Sequence, residues 1–170
     1  MVTFTTEVPL EPGTWRVGLA LEQQPDSAGE ALHDRQVPVP DVNGTRLALS
    51  DIVLGDPTGG RPWMAPDGPF PLSATGSYVR GEPVPLYYEI AGATPKGEIQ
   101  SEITFVRDDG KGRSVIRFTE RADGPVLRVR RELNTSKSEP GRYTLTVRIR
   151  TADQRQAERQ TTLIVERKPD

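Results

Sequence analysis

The chain has no cysteine, one histidine, few aromatic residues (6%) and no surplus of positive charge. Without cysteine there is no disulfide staple, thiolate nucleophile or thiolate metal site. That absence leaves the compartment open, because many exported β-domains also lack the residue. The single histidine, His33, stands beside Asp34 in a polar hairpin segment, residues 23–35. A histidine-based triad or metal site would need partners that do not occur, so His33 reads as a solvated loop residue. Lys+Arg number 22 against 24 Asp+Glu, a net charge of −2, which gives no broad basic field for nucleic acid or an anionic membrane. The first seven residues have neither a basic start nor an apolar stretch, and no later window approaches about 18 consecutive apolar residues. Neither a signal peptide nor a membrane span is expected in these 170 residues.

What is present is alternation. Apolar residues recur at every second position in run after run, and no 3.6-residue stripe competes with them. Val2, Phe4, Thr6 and Val8 define a first strand, Trp15, Val17, Leu19 and Leu21 a second, and Val37 with Val39 a short third. Further strands follow at Val84 to Ile90, Ile99 to Phe105, Ile116 to Phe118, Leu127 to Leu133, Tyr143 to Ile149, and Leu163 with Val165. The run Leu47 to Leu54 changes parity, so it is buried on both faces or carries a bulge near Ser50-Asp51. An opening strand that changes sheets has this pattern. Residues 45–168 hold roughly seven strands, the number of an immunoglobulin-like sandwich.

One phrase occurs twice. Glu11-Pro12-Gly13-Thr14-Trp15 leads into Val17, Leu19 and Leu21, and Glu139-Pro140-Gly141-Arg142-Tyr143 leads into Leu145, Val147 and Ile149. The second has the form of a tyrosine corner, in which Tyr143 bonds back to upstream backbone. Trp15 stands in the matching place, keeping bulk and losing the hydroxyl. The repetition divides the chain into residues 1–41, the last three strands of one β-domain, and residues 42–170, a complete immunoglobulin- or fibronectin type III-like antiparallel β-sandwich.

Between Gly55 and Gly76 lies a long stretch rich in Pro and Gly that carries Trp63, Met64 and Phe70. With Tyr78 and an outward-facing Tyr87 it is the candidate binding surface, able to stack on sugar rings or anchor a protein. The alternative is that these residues fold back as a lid over one open end of the sandwich. Asp108-Asp109-Gly110-Lys111-Gly112 reads as a hairpin turn and not a calcium loop, since a lysine stands where an oxygen ligand would help. Arg128, Arg130, Arg131, Arg148 and Arg150 read as polar-face stripes paired with glutamates across strands. No Gly-x-Ser-x-Gly elbow surrounds Ser50. No catalytic residue, metal site or cofactor is expected, and the chain reads as a non-enzyme.

Leu47 to Gly55, Val84 to Gly92 and the Pro-Gly-x-Tyr strand at Pro140 to Tyr143 together resemble the C-terminal β-rich region of bacterial GWxTD-domain proteins, although the Gly-Trp-x-Thr-Asp signature does not occur. The resemblance implies a non-catalytic structural or protein-interaction module of a larger exported bacterial protein, periplasmic or extracellular. Its partner would be another protein or the remainder of the parent protein; the alternative, from the aromatic loop around Trp63 and not from the resemblance, is a carbohydrate-binding module.

Overall fold

The structure, a computed structural model, describes residues 8–23, 28–41, 46–59 and 62–168, with backbone alone for 19–23 and 28–34. It opens on a hairpin of β1 (Gly13–Gln23) and β2 (Ala28–Val39), paired antiparallel from Gly13↔Val39 to Gln23↔Ala28 with one irregularity at Leu19/Ala20. The expected strand through Val2, Phe4 and Thr6 lies outside the described residues, and Val8 at its end is exposed and extends no ladder. The strand expected at Val37 and Val39 begins instead at Ala28, so His33 sits on a strand opposite Leu19 and not in a loop. Polar composition hid this strand, because an uncovered sheet face tolerates polar residues.

The remaining elements are β3 (Ala48–Leu49), β4 (Val53–Leu54), β5 (Pro62–Ala65), β6 (Gly68–Pro71), β7 (Ser77–Val79), β8 (Pro83–Ala91), β9 (Glu98–Arg107), β10 (Arg113–Arg121), β11 (Val126–Asn134), β12 (Gly141–Thr151) and β13 (Gln156–Glu166). They form an all-β sandwich. One sheet has the order β10-β9-β12-β13-β7, the last pair parallel; the other has β11-β8-β3, with β4 also on β8. The inward residues of both sheets make a single core: Leu49, Val84, Leu86, Tyr88, Ile90 and Val129 meet Ile99, Ile103, Phe105, Leu145, Val147 and Leu163. Each such side chain contributes about 1.5–3 kcal/mol on burial.

The parity change in Leu47 to Leu54 is a bulge. Leu49 lies opposite Ile90 and Val53 opposite Tyr87, which leaves Ser50, Asp51 and Ile52 facing two residues of β8. Ser50 seals the gap: its N–H donates to Glu89 O at 2.9 Å and its Oγ accepts from Glu89 N–H at 2.8 Å. Bulging twists an edge and blunts it against further pairing. After Leu54 the chain crosses to the other sheet, where β7 pairs with β13. The segment Asp108 to Gly112 is a hairpin turn in which Asp109 Oδ1 accepts from Lys111 N–H at 3.0 Å and Arg107 Nε–H at 2.8 Å.

Candidate functional site

Two corners carry the same bond. Tyr143 Oη–H donates to Glu139 O at 2.7 Å, and Trp15 Nε1–H donates to Glu11 O at 2.8 Å. Gly13 and Gly141, two residues before each aromatic, have φ of 150° and 152°, a region that favours glycine. Trp15 pairs opposite Val37 as Tyr143 pairs opposite Leu163. The first corner lacks the hydroxyl but keeps its bond: the indole N–H donates to the equivalent backbone carbonyl. What differs is the surroundings. Tyr143 and Leu145 are 2% and 0% exposed, whereas Trp15 and Val17 are 40% and 46% exposed. In the sandwich, the apolar face of the β12–β13 hairpin lies under β3, β8 and β11; among the described residues no strand other than its own mate pairs with β1 or β2.

The stretch after Gly55 is more ordered than its composition suggests. Strands β5 and β6 form a short hairpin, and Gly55 bridges to Leu72 at its base. This hairpin covers the outer face of β8, not an open end of the sandwich. Tyr87 points outward, yet it is only 2% exposed because Trp63 packs edge-on against it at 5.3 Å and Phe70 at 5.7 Å. Phe70 is 4% exposed, and Tyr78 lies in the main core with its Oη–H on Gly55 O at 2.8 Å. So the expectation of an open aromatic surface is corrected for Phe70, Tyr78 and Tyr87. Trp63 is half-buried, and Met64 alone of the five is well exposed. Parity within β8 placed Tyr87 on the outer face, and nothing in β8 itself signals that another segment covers that face.

Arg130 of β11 locks the cover. Its guanidinium lies 5.6 Å from the centroids of both Phe70 and Tyr87 and forks onto Asp67 with bonds of 3.0 and 2.7 Å. It also donates to Pro69 O and Gly68 O. The bonded guanidinium holds the Asp67 carboxyl below its ordinary range. Burial and the bond to Glu89 push the Tyr87 phenol up, so it stays protonated. Because the folded-state pKa of Asp67 is depressed, its contribution is complete well above the unfolded value of about 3.9 and disappears as pH falls through the folded value. We expect acidification below about pH 4 to loosen β5–β6 before the core melts. A change in Trp63 fluorescence would report this in a Trp15→Phe background. Asp67→Asn should show the acid-form signal already at pH 7; an unchanged signal would detach the hairpin from this ion pair.

The arginines sort by face. Arg128 bonds Glu89 at 3.2 Å and Arg148 bonds Glu158, as cross-strand pairing predicts. Arg131 departs from that pattern. It shares its face with Val129 and Leu133, lies 4.7 Å from the Phe118 centroid, and pairs with Glu120 at the side where β10 and β11 are edge strands. Burial raises the Glu120 carboxyl, opposed by that guanidinium. Inward charge at paired edges hinders addition of another strand. Asp51, beside Ser50, is almost fully exposed, with Arg159 3.6 Å away; no nucleophile–base pair forms there.

Among the described residues no helix is long and apolar enough to cross a membrane, and no group of three or more His, Cys, Asp or Glu is placed to hold a metal ion. No family model and no curated protein matches the chain. Among solved structures, a family 123 glycoside hydrolase from Clostridium perfringens is similar at a TM-score of 0.41 and 8% identity, over 72% of this chain and 28% of that one. The chain thus spans about a quarter of that protein's length.

Proposed function

We propose that the chain is a non-catalytic, immunoglobulin-like interaction module that works by docking a β-surface. The observation that carries this reading is the exposed apolar face at Trp15 and Val17, on a hairpin whose corner bond matches that of the buried hairpin at Tyr143. A face of this kind, on two long strands that among the described residues pair only with each other, favours association with another β-surface. The immunoglobulin-like assignment is supported by the two sheet orders, with β12 and β13 central in one and β8 central in the other. The likeness to GWxTD-associated regions adds the expectation of a bacterial exported parent protein.

Light scattering on the full chain and on a version starting at Asp41 tests this. Among the described side chains the main core contains none from β1 or β2, so the shorter version keeps every one of its described members. We expect the full chain to associate at micromolar concentration and the shorter one to be a clean monomer. A monomeric full chain whose unfolding stability falls on removing residues 1–40 would mean the hairpin serves its own fold, and the docking reading would fail.

A further inference from the structure

The outward side chains of β10, β9, β12 and β13 stand in rows, because their three ladders run in uninterrupted register. One row reads Arg117, Glu102, Arg148, Glu158. Its charges alternate, with Arg117 Nε 2.7 Å from Glu102 Oε2 and an Arg148 guanidinium nitrogen 2.6 Å from Glu158 Oε2. The row neutralises itself. The adjacent row reads Thr119, Gln100, Arg150, Gln156. Here the cation has carboxamides on both sides, and its hydrogen bond goes to a neutral acceptor, Gln154 Oε1. A groove of about 610 Å³ lies over the two rows, and a second of about 220 Å³ shares Gln100 and Arg150 with it, rimmed by Glu98 at its far end.

We propose that this groove binds a uronate-bearing polysaccharide, a surface and a ligand beyond the docking face at Trp15. A guanidinium fork matches a carboxylate in two parallel bonds, and the Gln154 contact holds Arg150 in place so that less ordering is needed on binding. The carboxamides of Gln100 and Gln156 each offer a donor and an acceptor, and Thr119 offers a hydroxyl, which suits the vicinal hydroxyls of a sugar ring. Protein hot spots set their arginines among buried Trp and Tyr anchors. The groove presents none: Phe118, its one large apolar neighbour, is partly buried with Arg131 stacked on its ring. An aromatic face on which a neutral sugar ring could stack is absent from the groove lining, so charge and hydroxyl recognition together favour an acidic glycan. Four strands span roughly 14 Å, room for more than one ring.

Titration calorimetry of the full chain with de-esterified polygalacturonate, dextran and polyglutamate tests the assignment. We expect binding to polygalacturonate alone, weakened by salt. Arg150→Gln should reduce it at least tenfold and Gln100→Ala severalfold, while Lys137→Gln, an equal charge change on the exposed β11–β12 connection, should leave it unaltered. Thermal unfolding of each variant identifies any that fail to fold, in which case Gln100→Ala and Gln156→Ala carry the test. Absence of polygalacturonate binding, equal losses in Arg150→Gln and Lys137→Gln, or equally tight binding of polyglutamate would overturn the proposal. Shortening of the polymer during incubation would instead overturn the non-catalytic reading and leave the groove assigned.

Discussion

Gly92→Ala is expected to destabilise the sandwich by at least about 3 kcal/mol and to lower its Tm by on the order of 10 °C. Gly92 follows β8 at φ 71°, a conformation that costs a residue with a Cβ about 1–2 kcal/mol. Strain is the smaller part. A Cβ here would lie 2.2 Å from Arg46 O and 2.7 Å from Arg46 C, so backbone must move. That backbone leads directly into β3, whose pairing with Ala91 and Ile90 closes the smaller sheet. Gly92 O also accepts from Arg155 at 2.8 Å, tying the same point to the β12–β13 turn. Gly81→Ala separates the two effects: its φ is 96° with nothing within 4 Å of the added atom, so it should show the strain alone. Equal losses in the two variants, measured by thermal and urea unfolding, would refute the clash.

The second large effect is a contrast between matching positions. Leu145 and Val17 each lie two residues after a corner aromatic, but Leu145 is 0% exposed within the core and Val17 is 46% exposed. Leu145→Ala should cost about 2–5 kcal/mol through lost burial and the cavity left behind. Val17→Ala should stay within about 0.5 kcal/mol for the monomeric chain. When the hairpin's face is covered by a partner, the Val17 substitution should become visible as weaker association. A large loss for Val17→Ala in the monomer would mean that the hairpin packs on its own sandwich.

Much of the sandwich was legible because it rests on parity. The alternation of Val84 to Ile90, Ile99 to Phe105 and Tyr143 to Ile149 identified core-facing residues directly, and the phase change after Leu49 left burial on both faces or a bulge, of which the pairing shows the bulge that Ser50 closes. The surface was harder to read. Nothing within β8 indicates that β5–β6 folds over Tyr87, since that contact joins segments far apart in the chain. Arg131 reads by its charge as a polar-face arginine paired with a glutamate; it has that partner in Glu120, but its parity with Val129 and Leu133 turns it toward Phe118 and the other sheet. The run Ala28 to Arg35 looked like loop because it is polar, and its strand is defined by the partner opposite it. The uncharged row around Arg150 was invisible for the same reason: it exists only when three ladders bring four strands into line.

The two corners also set how such units can diverge. Trp15 and Tyr143 share neither ring shape nor size, yet each delivers one proton to the carbonyl of a glutamate four residues earlier. The two residues at this position have in common an aromatic ring and a hydrogen-bond donor, not a shape. Phenylalanine would leave that carbonyl without its donor, so Tyr143→Phe is expected to cost about 1 kcal/mol. A search for related units should therefore accept Glu-Pro-Gly-x-Trp and Glu-Pro-Gly-x-Tyr as one signature.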